Sequence, residues 1–404
     1  MIDIYALAAL WLGLALVATL LSIWLGIATA MSEIVVGTVA QLVIGALLGA
    51  SVLGTDQSWI KFLASTGAVV LTFLAGAELD PAVMRREWKQ VNVIGLIAFA
   101  APFLGCAAVA RYLLHWGTDA SWLAGIALST TSVAVVYAVM LEFGLNRTDY
   151  GKTVLAACFV NDLATVLALG LMFSPFTYKT LVFAAGSVAA FAVLPSIVPR
   201  FFARFGGRPS ELEAKFLLLV MFGLGWLALW ADSEPVLPAY VFGMILAGTV
   251  GKDHALVRRL RTLTFGLLTP FYFIRAGSFV SVPALVSGAG VFFALLAAKM
   301  VSKFVGVYPV TKFFESPPRE AMYTTLLMST GLTFGSISAL FGLTHGIVTQ
   351  AQYSYLIAAV IGSAVVPTLI ANAFFLPRHL LPREESQPEG APAPTTAAAT
   401  RRSP

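Results

Sequence analysis

The sequence predicts an all-α polytopic membrane protein, and three observations support this fold class: composition, repeated apolar segments and the distribution of basic residues. Of the 404 residues, 59% are hydrophobic and 11% are charged. A soluble domain carries about 25% charged residues, so the composition excludes a soluble fold. The apolar segments predict about 13 transmembrane helices in two inverted repeats with crossing, discontinuous helices.

Hydropathy places the spans in order along the chain. We interpret 5–27 as a retained helix, because its start lacks the basic region of a signal peptide and its apolar part is too long. Further apolar segments of suitable length follow at 32–54, 62–79, 91–114, 120–145, 149–173, 177–200, 211–231, 236–251, 263–281, 287–311, 320–343 and 350–376. The segment 377–404 is rich in Pro, Ala and Thr, which predicts a disordered cytoplasmic tail.

The basic residues fit this arrangement when the N-terminus lies outside and the helices alternate. Most of the 25 Lys and Arg residues then fall in inner loops or the tail, and Lys61, Arg111 and Lys179 fall outside. This bias follows the positive-inside rule and predicts a bacterial-type cytoplasmic membrane with a cytoplasmic C-terminus. The net charge of +5 therefore does not indicate a nucleic-acid partner. The expected partner is membrane lipid.

Asp162 is an acid midway along the predicted span 149–173. A charge at mid-span costs about 3 kcal/mol on translocon scales, and such residues usually face a water-filled cavity and bind ions or protons. The alternative is an acid hydrogen-bonded within the bundle for packing. The two cysteines, Cys106 and Cys158, lie in apolar segments and predict neither a disulfide framework nor a metal cluster.

Two spans have small and hydroxyl residues at their centres. The fifth carries Ser129, Thr130, Thr131 and Ser132, and the twelfth carries Ser329, Thr330, Gly331, Thr333 and Gly335. Hydroxyl groups can bond backbone groups that an interrupted helix leaves free. The two spans run in opposite directions, as in inverted-repeat transporters, and their half-helix ends would face an ion. Gly331 and Gly335 also fit a small-xxx-small packing pair, so a structural role stays open.

Three basic residues lie within predicted spans. Lys299 and Lys303 are one turn apart on one helix face and distant from the span ends. They either take part in proton exchange or form a structural ion pair. Arg275 is predicted to line the ion pathway or to brace a domain boundary. Surface solvation is our interpretation for three acids near span ends, which are Glu78, Asp80 and Glu142.

From about residue 30 to 376 the chain resembles the monovalent cation:proton antiporters of the Kef-like branch. The resemblance rests on segments 74–80, 129–132, 161–162, 238–243 with Gly248, and 270–277. Lys303, which precedes Phe304-Val305-Gly306, matches the family's membrane lysine better than Lys299 does. The resemblance implies that Asp162 binds the cation or the proton, with oxygens from Asn161, Thr130, Thr131 and Ser132 around it.

The resemblance also implies a domain organisation and a homodimeric assembly. Scaffold helices 1–3 and 8–10 would occupy 1–90 and 206–285, and core helices 4–6 and 11–13 would occupy 91–175 and 286–376. A linker helix at 176–205 would join the halves, and the scaffold would form a homodimer. No cofactor is expected beyond transported Na⁺ or K⁺ and H⁺. After Leu381 we find no counterpart of the family's nucleotide-sensing domain, so nucleotide gating within this chain is not expected.

The predicted function is exchange of a monovalent cation for protons by alternating access. Asn161 stands where electrogenic relatives have a second acid, so one mid-span carboxylate remains and electroneutral exchange is expected. A cation-coupled symporter of an organic solute on the same fold is the alternative. An intramembrane enzyme lacks support, because the histidines lie at span ends or in loops, at His115, His254, His345 and His379. The sequence leaves open the choice between Na⁺ and K⁺ and the need for a regulatory subunit.

Overall fold

The structure is a computed structural model that describes residues 4–25, 28–48, 52–77, 79, 81–173, 177–208, 210–231, 233, 235–314 and 316–381. Within these ranges the secondary structure is helical, so the predicted all-α class is confirmed. Glu78, Asp80 and the tail from 382 lie outside the described residues, as does the side chain of Glu142.

Eighteen α-helices follow one another along the described chain. They are α1 Ile4–Leu25, α2 Thr29–Leu48, α3 Ser58–Ala77, α4 Pro81–Arg86, α5 Trp88–Ala108, α6 Thr118–Ser129, α7 Val133–Glu142, α8 Asp149–Phe173, α9 Tyr178–Phe205, α10 Leu212–Trp230, α11 Val236–Leu246, α12 His254–Leu263, α13 Thr269–Ser278, α14 Val282–Ser287, α15 Ala289–Phe313, α16 Pro318–Met328, α17 Thr333–Thr344 and α18 Gln350–Ile370. A π-helical turn at Thr264–Leu268 joins α12 to α13.

Nine helices among the described residues are long and apolar enough to cross a membrane. Thr29–Ile44 and Val236–Leu246 are shorter apolar helices. The fifth predicted span is divided between α6 and α7. The polytopic class is thus confirmed, whereas the number 13 and the inverted repeats stay predictions.

Burial shows which helices lie at the centre of the bundle. In the apolar part of Pro318–Thr344, 83% of the window is buried, whereas the buried share is 22% in α9 and in α15. The exposed side chains of α9 include Leu181 and Val188, which are apolar and therefore suit contact with lipid. The broken helix at Pro318–Thr344 is consequently central, and the predicted linker helix is peripheral.

Small residues allow close helix packing on one side of the molecule. A Cβ on Gly243 of α11 would overlap the Phe73 carbonyl of α3, and a Cβ on Gly277 of α13 would overlap the Ile34 carbonyl of α2. Glycine at such positions lets the backbones of neighbouring membrane helices approach closely. These contacts join helices of the two segments predicted to form the scaffold.

Candidate functional site

The fifth predicted span is interrupted at residues 130–132, here called the first break. Helix α6 ends at Ser129, Thr130 has extended backbone angles of φ −60° and ψ 152°, and α7 begins at Val133. Thr130, Thr131 and Ser132 are fully buried. The interruption leaves backbone carbonyls of α6 and backbone N–H groups of α7 without helical partners, so other groups must bond them.

The twelfth predicted span is interrupted at residues 329–332, here called the second break. Helix α16 ends at Met328 and α17 begins at Thr333. The breaks touch: the Thr131 hydroxyl donates to the Met328 carbonyl at 2.9 Å, and the Ser132 N–H donates to Thr330 Oγ1 at 3.5 Å. The two interrupted helices therefore cross at their breaks.

The half-helices α6 and α17 pack side by side. A Cβ on Gly335 of α17 would contact the Ala127 carbonyl of α6, and a Cβ on Gly342 would overlap Leu123. Residue numbers rise along α17 while they fall along α6 at these contacts, so the half-helices run antiparallel. Gly335 of α17 thus allows this half-helix to pack closely against α6, whereas Gly331 lies in the second break itself.

Asn161 of α8 bonds both sides of the first break. Its Oδ1 accepts the Thr131 N–H at 2.9 Å, and its Nδ2 donates to the Ser129 carbonyl at 3.2 Å. Asn161 is fully buried. A carboxylate could accept the first bond but has no proton to donate in the second. The amide therefore stabilises the interruption in a way that an ionised acid could not.

Asp162 adjoins Asn161 on α8 and is 2% exposed. Its Oδ1 has no hydrogen-bond partner among the described residues. The side chain lines a cavity of about 370 Å³, together with Val133 and Tyr137 of α7, Thr333 and Phe334 of α17, and other residues. A buried carboxylate oxygen without a partner favours a ligand, because buried polar atoms are normally satisfied. The cavity leaves room for one.

Lys299 and Lys303 of α15 are fully buried and both bond the first break. Lys299 Nζ donates to the Thr130 carbonyl at 3.2 Å, and Lys303 Nζ donates to Thr131 Oγ1 at 3.1 Å. Neither forms an ion pair with Asp162 in the described part of the chain. The contact with Thr130 places the Lys299 amine at the carboxyl end of α6, where the helix dipole favours a positive charge. Both lysines thus help to hold the interrupted helix.

Gly331 and Thr333 occupy different positions in the second break. A Cβ on Gly331 would overlap Lys299 Nζ and approach Thr130 Oγ1, so only glycine fits there without movement. The Gly331 carbonyl accepts a bond from the Ser363 hydroxyl of α18 at 3.3 Å. Thr333 lines the Asp162 cavity.

Arg275 lies apart from the other predicted site residues. Its Nε donates to the Thr55 carbonyl at 3.0 Å, and its guanidinium lies 4.9 Å from the centre of the Phe279 ring. It lines a separate cavity of about 150 Å³ with Lys61 and Tyr272. The structure therefore does not bring Arg275 together with Asp162. Its contacts fit the bracing role better than a role in the ion pathway.

Ser363 and Arg261 are among the residues at the site that the sequence did not predict. Ser363 bonds the second break, and Arg261 lines the Asp162 cavity. Ser363 stands in an apolar helix without a pattern that marks it. The positive-inside pattern includes Arg261 only as one of the basic residues of an inner loop. Its amphipathic helix α12, with three arginines, is the signal that could have found it.

The helical bundle and the crossing of two interrupted helices beside a buried acid define the class as a polytopic membrane transporter. The chain belongs to the sodium/hydrogen exchanger family, whose transmembrane model matches residues 9–376. The resemblance to the Kef-like branch is thereby confirmed at the level of the family.

Similar proteins were found in plants, archaea and bacteria. Cation/H(+) antiporter 18 of Arabidopsis thaliana is 26% identical over 86% of this chain and 46% of its own length. Probable Na(+)/H(+) antiporter 3 of Methanocaldococcus jannaschii is 23% identical over 83% of this chain and 89% of its own length. Glutathione-regulated potassium-efflux system protein KefC of Salmonella arizonae is 27% identical over 78% of this chain and 53% of its own length. The chain spans about half the length of the plant and KefC relatives.

A solved structure has the same fold. It is the sodium proton antiporter MjNhaP1 from Methanocaldococcus jannaschii, with a TM-score of 0.68 and 14% sequence identity. The match covers 90% of this chain and 95% of that one. At this identity the likeness establishes the fold alone.

Proposed function

We propose that this protein exchanges a monovalent cation, Na⁺ or K⁺, for protons across the membrane, with Asp162 as the shared binding site. The observation that carries the proposal is the buried Oδ1 of Asp162, which has no partner among the described residues and lines a cavity beside the crossing breaks. A proton and a cation would compete for this carboxylate. The antiporter names of two relatives and the potassium-efflux name of a third support the same activity.

The bound cation would take oxygens from Asn161, which precedes Asp162 in the sequence, and from the first break that Asn161 bonds. Asn161 Oδ1 has one lone pair beyond the bond from Thr131, and hydroxyls of Thr130, Thr131 and Ser132 lie at the same break. Lys299 and Lys303 would act by fixing these groups in place. Gly331, Thr333 and Gly335 would shape the second break against them.

The charge balance of Asp162 supports electroneutral exchange. The site is neutral when the carboxylate holds a proton, and it is also neutral when the carboxylate holds a monovalent cation. One cation exchanged for one proton then moves no net charge, provided that Lys299 and Lys303 keep their protonation. Relatives with two adjacent acids differ at the position of Asn161.

The transport cycle would move the core segments 91–175 and 286–376 against the scaffold segments 1–90 and 206–285. The cavity at Asp162 includes Arg261 and Phe265, and on the proposed topology both lie near the inner surface. The conformation described would then face inward. We further propose a homodimer in a bacterial-type cytoplasmic membrane, with the N-terminus outside.

The symporter alternative has less support. Most residues around the Asp162 cavity are apolar, among them Leu71, Leu74 and Phe334. An organic solute needs several polar groups to fix its orientation, whereas a cation needs a few oxygens. The similar proteins whose names state an activity are antiporters or an efflux protein.

The test is proton-coupled exchange in proteoliposomes carrying Asp162→Asn. We expect exchange to be abolished, because an amide does not ionise. It can neither take up and release a proton nor balance the charge of a bound cation. Asp119→Asn is the matched control, since Asp119 is exposed in the first turn of α6. Both variants should elute as folded protein in detergent. Substantial remaining proton-coupled flux in Asp162→Asn would reject the assignment.

Two further measurements define the exchange. Adding Na⁺, K⁺, Li⁺ or Rb⁺ in turn to vesicles with a pH gradient identifies the cation from its rate of gradient dissipation. Repeating the assay under an imposed membrane potential tests the stoichiometry. A rate or endpoint that shifts strongly with the potential would contradict electroneutral exchange.

A further inference from the structure

A second cavity, of about 570 Å³, adjoins the Asp162 cavity, and we call it the basic cavity. Four basic side chains line it: Lys152, His254, Arg258 and Arg261. The two cavities share Val133, Tyr137 and Arg261 in their walls. On the proposed topology the basic cavity lies at the inner mouth of the ion pathway, so a cation that approaches Asp162 from this side would pass it.

Two described acids beside α12 face groups other than the basic cavity. Asp253 Oδ1 accepts the N–H groups of Ala255 and Leu256 at the start of α12. Glu211 pairs with Arg259 at 2.8 Å, and this hydrogen bond raises the pKa of Arg259. The lining residues that the structure describes include no acid.

A mouth lined by basic groups has a field of the wrong sign for attracting a cation. Basic groups in a cleft raise the local concentration of anions and lower that of cations. Arginine forms paired, charge-assisted hydrogen bonds with phosphate oxygens, and the volume is within the range of small-molecule sites, about 300–1,000 Å³. Asn146 also lines the cavity, and its Oδ1 is buried without a partner among the described residues. Because an amide can rotate by 180°, it can offer a donor there instead.

We propose that the basic cavity binds a phosphate-bearing anion, and that the bound anion slows exchange. Lys152 and Ala156 belong to α8, within the predicted core, whereas His254 and Arg258 belong to α12, within the predicted scaffold. An anion that bonds both sides holds the two segments in the conformation described. The effect on exchange rests on the proposed function, whereas binding of the anion does not.

The first experiment measures binding without transport. Pyrophosphate is titrated into the detergent-purified protein by calorimetry at low ionic strength, where charge interactions are least screened. Arg258→Gln should weaken binding roughly tenfold or more, as expected for the loss of a charge-assisted hydrogen bond. The matched control is Arg259→Gln, one residue along α12, which faces Glu211 and should bind pyrophosphate like the wild type. Equal binding by wild type and Arg258→Gln would overturn the site.

The second experiment identifies the source of the phosphate and its effect. Vesicles of phosphatidylcholine are compared with vesicles containing phosphatidylglycerol, each with and without pyrophosphate on the side of the basic cavity. Slower exchange with pyrophosphate in both vesicles, lost in Arg258→Gln, identifies a soluble anion. Slower exchange with phosphatidylglycerol alone, also lost in Arg258→Gln, identifies a lipid headgroup.

Two outcomes would contradict the proposed effect. Faster exchange with the anion would show that it relieves repulsion of the cation and does not hold the two segments. An equal effect in Arg258→Gln and wild type would place the anion elsewhere. If Asp162→Asn showed that the proposed function was wrong, the calorimetric comparison of Arg258→Gln with Arg259→Gln would still decide whether the cavity binds phosphate.

Discussion

The first and second breaks cross at the centre of the bundle, and both interrupt a helix at residues with hydroxyl groups. The first is bonded by side chains from two other helices: Asn161 of α8, and Lys299 and Lys303 of α15. Within the second, Thr330 donates to the Leu327 carbonyl and Ser329 to the Thr325 carbonyl. It also accepts bonds from Thr131 and Ser132 of the first break. Ser363 adds a bond from α18.

This difference indicates different roles for the two breaks. The residue that bonds both sides of the first break is adjacent to Asp162 in sequence, so under the proposed function the occupancy of Asp162 would be coupled to the first break through α8. Among the described bonds, the second break is held by hydroxyl and backbone groups and by no amide or lysine side chain, and it depends on the absence of a side chain at Gly331.

Of the variants that test the two breaks, Asn161→Ala is expected to lower thermal stability the most. The Thr131 N–H and the Ser129 carbonyl would lose their partner, and a buried unsatisfied group costs about 1–3 kcal/mol. We expect a clear fall in thermal stability in detergent together with loss of exchange. Asn92→Ala is the control, because the partly exposed Asn92 bonds only the Trp88 carbonyl among the bonds described. Equal stability of the two variants would show that the first break does not depend on Asn161.

Gly331→Ala tests the space at the second break. The added Cβ would displace Lys299 Nζ from the Thr130 carbonyl, and overpacking of this kind costs about 1–3 kcal/mol. Exchange should fall along with stability, measured by thermal unfolding. Gly223→Ala in α10 is the control, since its Cβ would meet nothing within 4 Å. If Gly331→Ala matched this control, the close approach of the two breaks would be wrong.

Ser363→Ala is expected to have the smallest effect. It removes a bond of 3.3 Å to the Gly331 carbonyl, and interhelical hydrogen bonds in membranes contribute about 0.6 kcal/mol on average. Exchange should continue, with a slightly lower unfolding temperature than that of Ser302→Ala, which loses a bond within its own helix. A loss as large as that of Asn161→Ala would mean that the second break depends on other helices as much as the first does.

Much of the candidate site could be predicted because its signals are local in the sequence. Asp162 is conspicuous as an acid within an apolar segment, and the hydroxyl clusters mark the interrupted spans. Lys299 and Lys303 were conspicuous for the same reason. Their partners were not predictable: they bond a carbonyl and a hydroxyl more than 160 residues earlier in the chain. Spacing along α15 places both lysines on one face but does not say what faces them.

Arg275 and Arg261 also show what the sequence does not predict, because the first lies outside the Asp162 cavity and the second lines it. Both are basic residues near the ends of short helices, and sequence reasoning associated Arg275 with the ion pathway. In the structure Arg275 bonds Thr55 outside the Asp162 cavity, while Arg261 lines that cavity. Which of two such residues reaches a cavity depends on helix rotation and packing, and neither is encoded in the local pattern.

The sequence by itself determined the membrane class, the helical spans and the mid-span acid, because each follows from the cost of placing polar groups in lipid. Tertiary structure alone decided that the two breaks cross, that Asn161 and both lysines bond the first of them, and that basic side chains from α8 and α12 surround one cavity. These outcomes depend on contacts between residues far apart in the chain, which are fixed only when the helices pack.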